Sequence, residues 1–155
     1  MKDTDSLKTG ERGMSEAHRP RRRIRSIVAL IAGVLAIVVL SIGADAALHA
    51  TGVYPPWGQR MADSLFILAT AYRIVFTVLG CYIAARLAPD RPMQHALMIG
   101  AVGLALGIVG AVATRNEGPE FGPKWYSLAI VLIAMPCAWA GGKLREMQLR
   151  VRAEQ

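Results

Sequence analysis

The sequence predicts an all-α fold, an integral membrane four-helix bundle whose helices alternate up-down-up-down. Hydrophobic residues make up 54% of the 155 residues, and they are concentrated in four stretches. Since about 17–25 mostly apolar residues form a helix that crosses a hydrocarbon core of about 30 Å, each stretch is long enough to span a membrane. The predicted transmembrane domain covers 26–143, with spans at about 27–47, 63–86, 95–114 and 125–142.

The four stretches nearly exclude charge. Ile27–Gly43 has no charged residue, and Leu65–Ala85 is interrupted only by Arg73. Ala96–Ala113 and Trp125–Gly142 are again uncharged. The apolar residues run continuously and do not alternate with polar ones, which argues against the strands of a membrane β-barrel. Each stretch is therefore predicted to be a helix.

The links between the stretches are short and contain turn-forming residues. The first link contains Pro55 and Pro56, and the second contains Pro89 and Pro92. Short links of this kind favour antiparallel neighbours, and they predict the up-down-up-down order.

The first span has a second interpretation. A basic segment, an apolar run and Ala44-Asp45-Ala46 together resemble a cleavable secretory signal with an A-x-A site. The apolar run is longer than the roughly 7–15 residues usual for such signals, so we favour a retained span.

The basic residues predict the orientation of the bundle. Fourteen of the 18 Lys and Arg residues precede the first span, lie between the second and third, or follow the fourth. Because Lys and Arg are retained on the cytoplasmic side, we expect a disordered basic cytoplasmic tail at 1–25 and a cytoplasmic C-terminal tail at 144–155. Four arginines beside the first span are expected to contact anionic lipid head groups: Arg21, Arg22, Arg23 and Arg25. Nucleic-acid binding is the alternative use of such a run, but the membrane accounts for the charge, and we expect no nucleic-acid partner.

Arg73 is the charge embedded in a span, roughly 12 Å from the outer end of its helix. A charge at this depth costs about 2.5–3.5 kcal/mol on insertion scales, so it is expected to face the interior and to have a partner. Asp45 is predicted as that partner, because both side chains lean toward each other along antiparallel helices. The intramembrane ion pair Asp45–Arg73 is interpreted as a structural clamp, with an anion or proton site as the alternative.

Two further polar residues lie near the same end of the predicted bundle. His49 is four residues after Asp45 and shares its helix face, and Asp63 begins the second span. These groups are candidates for an outer-side polar cluster. A closed zinc site needs two further ligands, so we expect no metal site.

Glycines form the most regular pattern, on one face of the third span: Gly100, Gly103, Gly107 and Gly110. Small faces let helix backbones approach closely in lipid, so this set is predicted to be a helix packing seam. The fourth span offers Ala134, Ala138 and Gly142 as its partner. Packing within the chain is favoured, and a seam between copies of the chain is the alternative.

No arrangement typical of catalysis is found in the sequence. A serine, histidine and aspartate cannot be placed at one depth, and H-E-x-x-H and C-x-x-C are absent. Cys81 and Cys137 differ in predicted depth by about 8 Å, so free buried thiols are expected. We therefore expect no catalytic residue, no enzymatic activity and no cofactor.

With the spans placed, the stretch Asp45–Gly142 resembles a group of small four-span inner-membrane proteins of bacteria that carry no assigned function. The resemblance rests on segments such as ATAYRIVFTVLGCYIAARLAPDRPMQHAL and GPEFGPKWYSLAIV. It implies a multi-pass protein of the bacterial inner membrane, and it transfers no catalytic or binding residue. Small multidrug-resistance transporters have a similar size, but they use a glutamate in the first span, and Ile27–Gly43 has no carboxylate.

The sequence thus favours a non-enzymatic structural or accessory subunit of the inner membrane. The alternative is a small oligomeric solute, ion or proton-coupled transporter that uses Asp45 and Arg73. Expected partners are the anionic lipids of the bilayer and a second copy of the chain or another membrane protein.

Overall fold

The computed structural model describes residues 3–56, 58–116 and 122–155, and for residues 3–21 it describes the backbone alone. The helices are α1 (Asp3–Ala50), α2 (Asp63–Leu87), α3 (Pro92–Ala113) and α4 (Lys124–Ala153). No strand occurs among the described residues. Each helix contains a stretch long and apolar enough to cross a membrane. The prediction of an all-helical chain with four such helices is confirmed.

Two helices extend beyond the predicted spans. A disordered tail is predicted at 1–25, but α1 already begins at Asp3, and residues 1–2 lie outside the described part. α4 continues to Ala153 and so includes most of the predicted C-terminal tail. Both extensions lengthen a helix that the apolar span nucleates, and adding a residue to an existing helix needs no new nucleation.

α1 and α2 pack against each other in opposite directions. Arg22 near the start of the apolar part of α1 contacts Asp90, just after the end of α2. Asp45 near the end of α1 contacts Arg73, in the first half of α2. Residue numbers rise along one helix as they fall along the other, so the two helices are antiparallel. We call the two ends of the bundle the Arg22 end and the Asp45 end.

α3 and α4 are also antiparallel. Gly142 of α4 lies beside Met93 at the start of α3, and Gly107 of α3 lies beside Val131 of α4. The order of these contacts again reverses along the partner helix.

α2 packs against all three other helices. It runs in the same direction as α4, because the rings of Phe66 and Tyr126 are 5.0 Å apart at one end. At the other end the Tyr82 hydroxyl donates a hydrogen bond of 2.8 Å to Oε1 of Gln148. α3 also packs against the three other helices, whereas α1 and α4 make no contact with each other over their described residues, so α2 and α3 lie between them.

Small side chains dominate the core of the bundle. A Cβ added at Gly33 of α1 would lie 2.7 Å from the backbone oxygen of Gly80, so α1 and α2 touch backbone to backbone. A Cβ at Gly141 would lie 2.6 Å from the backbone oxygen of Val78. The buried cluster at the centre consists of Cys81, Ala84, Ala85, Ala96, Ile99 and Ala138. Close approach of this kind supplies the packing that joins helices in an apolar solvent.

Large apolar side chains lie on the outside of the bundle. Leu132 is 72% exposed, Leu106 65%, Val39 63% and Ile67 62%, with one from each helix. Soluble monomers rarely expose contiguous apolar patches larger than a few hundred Å². The outer surface of these helices is therefore suited to an apolar environment.

Candidate functional site

The structure brings the side chains of Asp45 and Arg73 together. Nη2 of Arg73 lies 2.8 Å from Oδ2 of Asp45, which is a charge-assisted hydrogen bond. The side chains of Arg73 and Asp45 are 33% and 25% exposed, so the pair is largely covered. The antiparallel packing covers the pair, because it places the last turns of α1 beside the first half of α2.

A tyrosine completes the contacts of the aspartate. The Tyr72 hydroxyl donates a hydrogen bond to Oδ1 of Asp45, so both carboxylate oxygens have a partner. The Tyr54 hydroxyl lies 3.4 Å from that of Tyr72 and also donates to the backbone oxygen of Leu65 at 3.4 Å. Two neighbouring residues of α2 thus hold one side chain of α1, and a second tyrosine, Tyr54, packs beside the first.

The turn after α1 places Tyr54 over this site. α1 ends at Ala50, and Gly52 adopts a φ of +74°, a conformation that glycine accepts without steric cost. The chain then folds back, and the Tyr54 N–H donates to the Leu48 carbonyl at 3.0 Å. Tyr54 is only 4% exposed, so this ring is part of the packed end of the bundle.

His49 contacts Asp45 through the backbone carbonyl group of that residue. Nδ1 of His49 is 2.8 Å from the Asp45 carbonyl oxygen, which can only accept, so Nδ1 donates the proton. The His49 ring also meets the Tyr54 ring edge-on at 5.3 Å.

The two members of the predicted outer-side polar cluster line different cavities. His49 lines one with Tyr54, whereas the exposed Asp63 lines another with Arg60 and Phe66. Among the described residues, no group of three His, Cys, Asp or Glu side chains could hold a metal ion. The site therefore consists of the ion pair with its tyrosines.

The predicted glycine seam on α3 faces α4 over part of its length. A Cβ at Gly100 would lie 2.5 Å from Cβ of Ala138, and one at Gly107 would lie 3.2 Å from Cγ2 of Val131. At Gly103 the nearest atom would be Cβ of Ala134, at 4.0 Å. The fourth seam residue, Gly110, has nothing within 4 Å of such an atom in the described chain.

The predicted partner residues of the fourth span lie at this interface. Besides Ala134 and Ala138, Gly142 is close to α3, because a Cβ there would lie 3.1 Å from Cβ of Ala96. These contacts use the seam for packing within the chain.

The arginines beside the first span do not share one environment. Arg22 donates to Oδ1 of Asp90 at 2.7 Å, with both side chains largely exposed. Arg23 and Arg25 are exposed, and the side chain of Arg21 lies outside the described part. The Arg22 end therefore presents cations at the surface.

Both cysteines, Cys81 and Cys137, are free and buried. His95 is 8% exposed, and its Nδ1 lies 3.3 Å from the Arg91 carbonyl oxygen. Among the described residues, these contacts place no acid, base or nucleophile in a catalytic geometry beside either thiol or beside the imidazole.

Sequence reasoning missed Tyr72 and the α1–α2 packing glycines. The sequence signal for Tyr72 is that this hydroxyl-bearing residue directly precedes the embedded Arg73. The signal for the glycines was small-residue spacing, in Ala29-x-x-x-Gly33 and in Gly80-x-x-x-Ala84. Both signals were weaker than the four-glycine pattern of α3.

A cavity of about 170 Å³ lies where the four helices meet. Arg73 lines it together with Ser41 of α1 and Thr77 of α2. Its remaining wall is apolar and comes mainly from α3 and α4. Arg73 therefore borders a partly open cavity between the helices.

Comparison with known proteins adds no family and no relative. No protein-family model matches the chain, and comparisons with curated proteins and with solved structures find no match.

Proposed function

We propose that this chain is a multi-pass protein of the bacterial inner membrane, an up-down-up-down four-helix bundle that acts as a structural or accessory subunit without enzymatic activity. The observation that carries the proposal is the outer surface of the bundle, where all four helices expose large apolar side chains. Backbone polar groups are paired within the helices, which is what a hydrocarbon environment requires.

The charges support an orientation with both ends of the chain in the cytoplasm. The Arg22 end carries the arginines of α1 and the basic residues that follow the fourth span, whereas few cations lie at the Asp45 end. Lys and Arg are retained on the cytoplasmic side during insertion. Exposed cations such as Arg23 and Arg25 would then contact anionic lipid head groups.

The Asp45–Arg73 pair is proposed to fix the register of α1 on α2. A polar clamp of this kind suits a rigid subunit, because it adds direction to an interface otherwise formed by small side chains. The partner would be a second copy of the chain or another membrane protein, docked in the bilayer on the exposed apolar faces.

Reporter fusions test the topology. A reporter that is active only in the cytoplasm should be active when it is fused after Gln155 or inserted at Pro89. The same reporter should be inactive when it is inserted at Pro55. A C-terminal fusion that reports the outer side would overturn the four-span topology.

Affinity purification from native membranes tests the accessory role. A tag after Gln155, with cross-linking before solubilisation, should recover the chain with a membrane protein at a constant ratio. A chain that is recovered only as an uncross-linked monomer would contradict the role.

The cavity between the helices favours a second candidate, a small oligomeric transporter of a solute, an ion or protons. Its support is a cavity bordered by the charged Arg73. Reconstituted protein should then move protons or solute under a gradient, and Arg73→Ala should abolish the flux. Absence of flux from vesicles that contain folded protein would eliminate this candidate.

A further inference from the structure

The cavity between the four helices has one polar side and one apolar side. Ser41, Arg73 and Thr77 form the polar side and belong to α1 and α2. The opposite wall is formed by isoleucines, glycines and an alanine of α3 and α4. An occupant that fits both sides must itself be part polar and part apolar.

Two hydroxyl groups on the polar side of this cavity have no hydrogen-bond partner among the described residues. They belong to Ser41 and Thr77, and Arg73 lines the same side. A hydroxyl can both donate and accept a hydrogen bond, so this side can hold a polar atom of an occupant.

The other threonine side chains that the structure describes show that Thr77 is a local departure. Thr51, Thr70 and Thr114 each donate to the carbonyl oxygen four residues earlier, at 2.8 to 2.9 Å. This bond is the usual one for a hydroxyl in a helix. Thr77 does not form it, so its hydroxyl is available to an occupant of the cavity.

The charges at the cavity favour a neutral occupant. Asp45 already neutralises Arg73 at 2.8 Å, and the other lining residues are uncharged. An anion would bring an uncompensated charge into a mostly apolar space, at a large desolvation cost. The guanidinium N–H groups of Arg73 can only donate, so the occupant should carry an oxygen that accepts.

The size of the cavity limits the occupant to a few heavy atoms. An apolar cavity of about 150 Å³ in another protein binds benzene, so about 170 Å³ admits a six-membered ring with a small substituent. Water alone fits less well. About five molecules at about 30 Å³ each would fill the space, and the apolar wall would offer them no hydrogen bonds.

We propose that this cavity is a binding site for a small neutral molecule that has an apolar ring or short chain and a carbonyl-type oxygen. The oxygen would accept hydrogen bonds on the side of Ser41, Thr77 and Arg73, and the apolar part would lie against α3 and α4. The site goes beyond the accessory role and does not require that the ligand is transported.

Two probes of nearly equal shape test the chemistry. Cyclohexanone carries the accepting oxygen, and methylenecyclohexane replaces it with a methylene group. Saturation-transfer NMR on the full chain in detergent should show saturable binding of cyclohexanone. The double variant Ser41→Ala/Thr77→Val should weaken that binding about fivefold, since one neutral hydrogen bond contributes about 1 kcal/mol. Binding of methylenecyclohexane should be unchanged, which separates the hydrogen bond from general partitioning into the micelle.

Two matched glycine variants test the location. The atom nearest to a Cβ added at Gly103 would be Cβ of Ala134, in the cavity wall, at 4.0 Å. Gly103→Val should therefore fill the cavity and abolish binding of both probes. Gly110→Val is the control, because Gly110 is on the same helix, has nothing within 4 Å and does not line the cavity. It should bind as the unchanged chain does.

Four results would overturn the site. They are no saturable binding of cyclohexanone, equal weakening of both probes by the hydroxyl variant, full binding by Gly103→Val, and tighter binding of cyclohexanecarboxylate than of cyclohexanone. The probe comparison does not use Gly103→Val, so the proposal stays testable if that variant does not fold.

Discussion

The interface of α1 with α2 at the Asp45 end and the interface of α3 with α4 hold helices together in different ways. The first uses directional polar contacts, in which Asp45 is held by Arg73 and by Tyr72. The second uses close approach, because Gly100 leaves no room for a side chain beside Ala138. A polar contact depends on which groups face each other, whereas close packing depends on how little volume lies between the backbones.

The difference predicts how each interface responds to paired substitutions. An ion pair tolerates the loss of both partners better than the loss of one, since a single loss leaves a covered charge without a counter-charge. A packed seam tolerates an added methyl group only where another is removed. Paired variants can therefore distinguish the two kinds of interface.

The largest effect is expected at the ion pair. Arg73→Leu should lower the free energy of unfolding by about 3 kcal/mol, because it leaves the largely covered Asp45 carboxylate unpaired. Asp45→Leu should act in the same direction. The double variant should lose less than about 1 kcal/mol, because two apolar side chains of this size pack without a charge. Unfolding in mixed micelles measures all three, and additive losses would show that the pair is not coupled.

The second effect concerns the packed seam. Gly100→Ala should lower the free energy of unfolding by about 2 kcal/mol, since its Cβ would lie 2.5 Å from Cβ of Ala138. Adding Ala138→Gly removes the opposing methyl group and should restore most of the loss. The same unfolding assay measures both variants.

Gly110→Ala is the control for this seam. It adds the same methyl group on the same helix, where nothing lies within 4 Å, and should stabilise the helix by up to about 1 kcal/mol. A Gly100→Ala protein as stable as Gly110→Ala would show that α3 and α4 are not in close contact there.

The two interfaces also differ in how far sequence reasoning reaches. The four helices follow from continuous apolar runs, and Arg73 pointed to Asp45 because a lone embedded charge needs a partner. The α3 glycines were visible because four of them share one face. Tyr72 was not foreseen, because its role depends on the rotation of α2 against α1, which hydropathy does not specify.

The cavity between the helices could not be predicted from the sequence, for a related reason. Ser41 and Thr77 are ordinary helix residues in the sequence, and a hydroxyl usually bonds to its own backbone. Only the packing of all four helices shows that these hydroxyls line a common space with Arg73.

A smaller effect is expected from the tyrosine that supports the pair. Tyr72→Phe removes the donor to Oδ1 of Asp45 and leaves Arg73 in place, so stability should fall by about 1 kcal/mol. Tyr82→Phe is the matched control, since the Tyr82 hydroxyl lies at the other end of α2, where it donates to Gln148 at an exposed position. Thermal unfolding that ranks Tyr82→Phe as the more damaging change would contradict the role given to Tyr72.

The smallest effect is expected at the second ion pair between the α1 and α2 segments, Arg22–Asp90. Arg22 and Asp90 are 65% and 48% exposed, so their contact at 2.7 Å is in high dielectric and is screened by salt. Arg22→Ala should therefore change the free energy of unfolding by less than about 0.5 kcal/mol at low ionic strength, and by nothing measurable at about 1 M salt. The Asp45–Arg73 contact has nearly the same length, yet its contribution should persist at high salt because its side chains are covered. If raising the salt concentration removes both contributions equally, the Asp45 end is open to solvent, and burial does not distinguish the two pairs.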